Sequence, residues 1–267
     1  MNKLYSFLVR DFFTESSYRL SFLLSMVGIF FSAFTFYFVS LLVGDAADPY
    51  LEEYGGDYFS FVIIGIAFSG YFGVGLSGFA RALREAQTTG TLEAMLMTPT
   101  PVSLIVVGSA LWSYVLTTFR VFLYLLLGSL LFTLQFQGAN VLGALVSLLL
   151  SILTFASIGI IAAAIIMIVK RGETITGMFS AFANLLGGIY YPVEILPGWL
   201  QAIARLIPVT YAVNAMRLAL LSGATWRELA PDLLILAGYA LVLFPLSLLV
   251  FRLAVERARH DGSLTHF

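Results

Sequence analysis

The residue types that catalyse reactions or hold metals are scarce in this chain of 267 residues. Cysteine is absent, and the two histidines, His260 and His266, both lie in the last eight residues. An active site or metal centre needs several such side chains close together. A phosphate-binding loop needs a lysine after spaced glycines, and neither Lys3 nor Lys170 follows such glycines. We therefore expect no catalytic residue, no metal ligand and no cofactor in this chain.

The composition is that of a membrane protein. Hydrophobic residues make up 60% of the chain and charged residues only 11%, against about 25% charged residues in soluble domains. A soluble fold of this length could not bury so much apolar surface. The net charge of −1 gives no basic field that would attract nucleic acid. The sequence therefore predicts a single all-α integral membrane domain over residues 1–267.

Long runs without charged residues predict six transmembrane helices, since about 20 apolar residues cross a bilayer. The longest run, 121–169, exceeds one span and breaks at the polar turn 135–140. Pro99 and Pro101 delay the start of the third span. The predicted spans are 20–43, 58–79, 102–133, 141–169, 174–193 and 231–253.

Lysines and arginines predict the orientation of these spans. Ten fall on one side, namely Lys3, Arg10, Arg19, Arg81, Arg84, Lys170, Arg171, Arg252, Arg257 and Arg259. Three fall on the other, Arg205, Arg217 and Arg227, together with an acidic loop at 45–57 that has no Lys or Arg. We expect both termini in the cytoplasm of a multi-pass protein of the cell (inner or plasma) membrane. The length of the first apolar run argues against a cleaved signal peptide.

Arg120 is the one charge well inside a predicted span. An arginine in hydrocarbon costs about 2.5 kcal/mol or more, so it should face a cavity or a partner. The third span is long, however, and the alternative puts Arg120 near an interface.

The connection 81–101 is too structured for a passive linker. Gly90 can cap a short helix and places Glu93 near its start, where a carboxylate suits the helix dipole. The apolar residues of this helix are Leu92, Met95 and Leu96. They form a knob that either inserts into another protein or rests on the membrane surface, and the residues alone do not choose between these.

The segment 194–222 is predicted to be outside, yet it is apolar. Neither half is long enough to span, and each carries an arginine. Two short helices that break at Pro208 and dip into the outer leaflet fit these facts, with Trp199 and Tyr211 at the interface. The alternative is an amphipathic pair that lies flat on the surface.

Two further patterns have helical spacing. Residues 1–19 carry polar side chains on one face and apolar side chains on another, which favours an interfacial helix over a solvated leader. In the second span Gly65, Ser69, Gly73 and Ser77 form a stripe of small residues. Such spacing lets another helix approach closely, either within the chain or in a dimer.

Two stretches resemble the ABC-2 type transporter permeases. They are EAQTTGTLEAMLMTP (Glu85–Pro99), and GGIYYPVEILPGWLQAIARLIPVTYAVNAMR (Gly187–Arg217). Six spans, internal termini and a leading amphipathic helix also match that family. The resemblance covers essentially the whole chain and implies the membrane subunit of an exporter for lipids, lipid-linked glycans, drugs or antibiotics.

The resemblance also implies partners and site residues. The partners would be an ABC ATPase subunit that holds ATP and Mg, a second copy of this chain, and membrane lipids. A coupling helix at 84–98 would contact the ATPase through Arg84, Glu85, Gly90, Leu92, Glu93, Met95 and Leu96. The re-entrant helices, 194–222, would form an exit gate whose residues include Tyr191, Pro192, Glu194, Trp199 and Arg217.

Three other functions compete with this interpretation. An ion-coupled secondary transporter normally has acids within its spans, and the uncharged runs contain none. An intramembrane enzyme needs a base or metal ligands opposite its serines. A purely structural membrane subunit would not need the cytoplasmic knob.

Overall fold

The computed structural model describes residues 3–17, 19–88, 102–132, 134, 136, 138–169 and 173–260. Over these ranges the chain is helical and contains no strand. The helices are α1 (Lys3–Ser17), α2 (Arg19–Val43), α3 (Asp48–Leu51), α4 (Tyr58–Thr88), α5 (Val102–Leu131), α6 (Val141–Val169), α7 (Glu173–Leu186), α8 (Gly198–Ala204), α9 (Pro208–Leu220) and α10 (Trp226–His260). The predicted all-α architecture is therefore confirmed.

Among the described helices, five are long and apolar enough to cross a membrane: α2, α4, α5, α6 and α10. They coincide with predicted spans one to four and six. The break in the longest uncharged run also lies where the polar turn predicted it, because α5 ends at Leu131 and α6 begins at Val141. Asn140 caps α6, accepting a hydrogen bond on Oδ1 from the Gly143 amide at 2.8 Å.

The helix at the predicted fifth span is shorter than expected. α7 covers Glu173–Leu186, which is 14 residues, or about 21 Å at 1.5 Å per residue. The prediction extended this span to Val193 because no charge interrupts the run. The helix instead ends before Gly187-Gly188, where Gly188 takes a φ of +74°. A left-handed glycine is a common way to end a helix, and an uncharged run contains no signal for it.

The bent helix pair follows α7. α8 and α9 meet at 86°, and together they are apolar enough to count as one broken span or a re-entrant loop. α9 begins at Pro208, the residue at which the break was predicted. Nine of its residues are buried inside the protein, so this helix does not lie flat on a surface. That burial rules out the flat amphipathic pair for the second half of the segment.

α4 is the central helix of the bundle. Its apolar part is mostly buried, whereas α2, α5 and α10 expose most of theirs. α4 and α6 approach closely because a Cβ on Gly159 would overlap the Gly75 carbonyl oxygen. Of the predicted stripe, Gly65 lies against Arg217 and the Ile189 backbone, while a Cβ on Gly73 would meet no atom within 4 Å. The Gly65 end of the stripe therefore packs within the chain.

α1 packs against the N-terminal half of α5. The rings of Phe12 and Trp112 meet edge to face with centroids 5.9 Å apart, and the Phe7 ring lies 2.7 Å from the Cβ position of Gly108. Aromatic side chains of the predicted apolar face thus contact an apolar helix of the bundle.

Candidate functional site

Arg217 is the most completely enclosed charge in the described part of the chain. It lies on α9, and only 3% of its surface is exposed. Nε donates to the Phe61 carbonyl at 2.9 Å, Nη1 to the Gly188 carbonyl at 2.7 Å, and Nη2 to the Ile189 carbonyl at 2.7 Å. A buried guanidinium needs such partners for its N–H groups. These bonds fasten α9 to α4 and to the turn after α7.

Arg217 and the three backbone carbonyls that it binds form an arginine clamp. The Phe61 ring and the lack of a side chain at Gly65 complete it. The Arg217 Cζ lies 3.4 Å from the centroid of the Phe61 ring, a cation–π contact that strengthens when water is excluded. A Cβ on Gly65 would overlap both the Arg217 guanidinium and the Ile189 carbonyl oxygen. Glycine at this position therefore lets α4 approach the clamp.

A chain of polar side chains runs beside the clamp. The Tyr54 hydroxyl donates to Asn214 Oδ1 at 2.5 Å, and Asn214 Nδ2 donates to Asp232 Oδ2 at 2.8 Å. These bonds connect the loop before α4 with α9 and α10. Burial raises the pKa of the Tyr54 hydroxyl well above its ordinary value, although the Arg217 charge lowers it. Tyr54 therefore stays neutral and able to donate.

The clamp and the polar chain border one small cavity of about 160 Å³. Its charged lining residues are Glu53, Glu194, Asp232, Arg205 and Arg217. Acids and arginines face each other here, at the end of the bundle that the charge distribution predicts to be outside. Such a space can hold water or a small polar group, but it is too small for a drug-sized molecule.

The predicted gate residues separate in the structure. Pro192, Glu194 and Arg217 line the cavity together. The Tyr191 hydroxyl instead donates to the Leu185 carbonyl at 2.5 Å, which ties the turn back to α7. Trp199 is 68% exposed and does not line the cavity. The structure therefore brings together three of the five predicted gate residues.

The predicted ATPase-contact residues fall mostly outside the described residues. Gly90, Leu92, Glu93, Met95 and Leu96 all lie there. Arg84 and Glu85 lie on the last turns of α4, which continues to Thr88, nine residues beyond the predicted end of the second span at 79. The first part of the predicted segment 84–98 thus extends the second long helix.

Arg120 lies on the third long helix, α5, and lines a separate cavity. Its neighbours there belong to α2, α4 and α5. This cavity shares no lining residue with the one at Arg217.

Tyr54, Asn214 and Asp232 were missed from the sequence. Asp232 precedes an uncharged run by one residue and lies within the predicted span 231–253, yet it is buried, with 9% of its surface exposed. A search for acids within the uncharged runs therefore did not find this buried acid of α10. A buried acid needs a hydrogen-bond donor, but nothing in the sequence indicated that the donor is Asn214.

Comparisons with known proteins agree with these features. The profile of the ABC-2 type transporter family matches residues 4–221. The chain is also similar to the linearmycin resistance permease protein LnrN of Bacillus subtilis (strain 168), with 25% identity over 177 residues. That alignment covers 66% of this chain and 46% of the relative, so the chain spans about half the length of that protein.

Proposed function

The chain belongs to the ABC-2 type transporter family, and from that membership we propose that it is the membrane-spanning subunit of an ATP-driven exporter. Its cargo would be an amphipathic or hydrophobic molecule, such as a lipid, a glycolipid, a drug or an antibiotic, taken from the cytoplasm or the inner leaflet. As a multi-pass membrane permease the chain would supply the route and another subunit the energy.

One observation carries this proposal beyond the family match. α8 and α9 meet at 86°, and α9 is held by Arg217, whose surface is only 3% exposed. Nine residues of α9 are buried inside the protein, and irregular backbone is tolerated at membrane depth where it is buried in this way. Such an element can open or close a route while the long helices keep their positions.

The motor would be a separate ATPase subunit. Neither lysine of this chain follows the glycines of a phosphate-binding loop, so ATP and Mg would bind to the partner. The segment 84–98 would contact that partner, and two copies of this chain would pair with two ATPase subunits. The ten-to-three distribution of Lys and Arg supports cytoplasmic termini and an external bent pair.

The decisive experiment reconstitutes the chain with its ATPase in liposomes. The ATPase would come from a P-loop reading frame beside the gene, and the panel would hold lipids, glycolipids and drugs, including linearmycin, for which the relative is named. We expect cargo to stimulate ATP hydrolysis and to move only with ATP. An ion-coupled transporter would instead move cargo along a proton or sodium gradient without the ATPase, a result that would overturn the proposal.

A matched pair of variants tests the contact with the ATPase. Leu96→Asp should insert normally and lose the ATPase, because it forfeits about 1.5–3 kcal/mol of apolar burial and buries a charge. Glu93→Ala should be milder. Co-purification of Leu96→Asp with the ATPase at normal stoichiometry, together with normal transport, would instead place the knob on the bilayer surface.

A further inference from the structure

Arg120 lies well away from both ends of its helix. α5 covers Val102–Leu131, so Arg120 is 18 residues from its start and 11 from its end. At 1.5 Å per residue, about 27 Å and about 17 Å of helix separate it from these two ends. Long basic side chains reach the interface only from near the ends of a span. The helix bounds therefore favour a place inside the hydrocarbon over the alternative at an interface.

No protein group neutralises this charge in the part of the chain that the structure describes. Arg120 has no hydrogen bond and no ion pair with a described residue, and its side chain is exposed. An arginine at this depth is costly, and such residues mark pathways or ligands by default. The fold provides an opening beside it rather than a partner.

That opening is a cavity of about 340 Å³ between α2, α4 and α5. Six of its lining residues matter here: Ser25, Gly28, Ser69, Gly70, Thr117 and Tyr124. Ser69 and Gly70 lie on α4, which covers Tyr58–Thr88, and both are 11 residues or more from either end of that helix. A Cβ on Gly28 would meet no atom within 4 Å, so there is free space on the α2 side.

The polarity of the cavity selects the sign of its occupant. None of its described lining residues is a carboxylate. The three aliphatic hydroxyls donate their protons to their own helices, Ser25 to the Ser21 carbonyl at 3.0 Å, Ser69 to the Ile66 carbonyl at 2.8 Å and Thr117 to the Ser113 carbonyl at 2.8 Å. The guanidinium is the one charged donor among the described lining residues, and its planar fork fits a carboxylate or a phosphate.

We propose that the Arg120 cavity binds the anionic head of an amphiphile, a carboxylate or a phosphate attached to an apolar tail. The positive charge on a long apolar helix favours that head over a neutral or cationic one. The occupant has two possible sources, a membrane phospholipid or the exported cargo. The second source rests on the function proposed above, whereas the binding site itself does not.

The test measures binding to the full-length chain in phosphatidylcholine nanodiscs, without ATPase or ATP. The probe is dansyl-undecanoic acid, and its methyl ester is the neutral control. Arg120→Gln should weaken binding of the acid by about tenfold or more, the worth of a charge-assisted bond pair, and leave the ester unchanged. Arg120→Lys should retain part of the affinity. Arg227→Gln makes the same charge change on exposed α10 surface and should bind the acid normally.

A second variant probes the space rather than the charge. Gly28→Phe should block the acid while keeping Arg120, since the open side of the cavity is then filled. Adding phosphatidylglycerol to the nanodiscs separates the two sources. Displacement of the acid by this lipid would assign the site to a membrane phospholipid, and persistence of the acid would assign it to a cargo-like amphiphile.

Two results would overturn the proposal. One is equal affinity of the wild-type chain for the acid and the ester. The other is undiminished affinity for the acid in both Arg120→Gln and Gly28→Phe, with wild-type elution in gel filtration. Because the readout needs no transport, a failure of ATP-driven export would leave it unaffected, and the two proposals fail separately.

Discussion

Two arginines on the apolar helices of this chain are in opposite circumstances. Arg217 has three backbone carbonyls and a phenyl ring around it and almost no exposed surface. Arg120 faces a cavity of about 340 Å³ and has no hydrogen-bond or ion-pair partner among the residues described. One charge is satisfied by the fold, and the other is left available.

The difference separates a structural role from a binding role. A buried guanidinium with every neighbour in place contributes by joining segments that are distant in the sequence, and removing it strands its acceptors. An unpaired guanidinium contributes nothing to the fold and costs solvation. The stability of variants therefore distinguishes the two, and the expected effects below run from the largest loss to none.

Substitution of Arg217 should cause the largest loss. Arg217→Leu leaves the carbonyls of Phe61, Gly188 and Ile189 without their donor, at a cost of about 3 kcal/mol or more. Thermal unfolding in detergent, followed by tryptophan fluorescence, should show a strongly lowered Tm or no folded material. Arg205→Leu on the same bent pair is the control, because its side chain is exposed. Equal stability of the two variants would show that the clamp does not stabilise the fold.

Gly65 should come second, because it makes room for the clamp. Gly65→Ala forces the Arg217 guanidinium or the Ile189 carbonyl to shift, an overpacking that costs about 1–3 kcal/mol. Gly73→Ala on the same helix meets no atom within 4 Å and should be neutral or stabilising by up to about 1 kcal/mol. The same thermal assay reads both, and a loss in Gly73→Ala of the same size would point to helix flexibility rather than to the clamp.

Tyr54 should have a smaller effect, since its bond to Asn214 is one hydrogen bond. Tyr54→Phe should cost about 1 kcal/mol at pH 8. The pKa of Tyr54 is raised in the folded chain, so its contribution is fully present below the unfolded pKa of about 10 and is lost as the pH rises further. Denaturant titrations of both chains should show a constant difference from about pH 8 to pH 9.5 and a smaller one above pH 10. A difference that grows above pH 10 would contradict this assignment.

The sequence predicted the long helices well and the contacts between them poorly. The length of an uncharged run indicates how many residues can lie in hydrocarbon. The predicted spans therefore coincide with the long apolar helices α2, α4, α5, α6 and α10. The end of α7 depends instead on the left-handed backbone of Gly188, which a hydropathy pattern does not register.

The candidate site shows the same limit. Arg217 was identified through a family resemblance, but its partners were not, since Phe61 is 156 residues away in the chain. The bond from Tyr54 to Asn214 crosses 160 residues, and no periodicity relates such positions. Arg120 was visible at once as a charge in an apolar run, yet the cavity that it lines was not. A charged residue within an apolar run can be identified from the sequence, whereas its hydrogen-bond partners are known only from the fold.

The smallest effect on stability is expected at Arg120, and it is the sharpest test of the comparison. Arg120→Gln removes a charge from the interior of a long apolar helix and breaks no hydrogen bond or ion pair with a described residue. The free energy of unfolding should therefore stay within about 0.5 kcal/mol of the wild-type value or rise, because the solvation cost is relieved. Arg217→Gln, with the same change of side chain, should fall far below both. If Arg120→Gln instead unfolds as readily as Arg217→Gln, then Arg120 holds the helices together, and the two arginines share one structural role. Unchanged stability together with lost binding of the anionic probe would leave the guanidinium with a ligand as its only function.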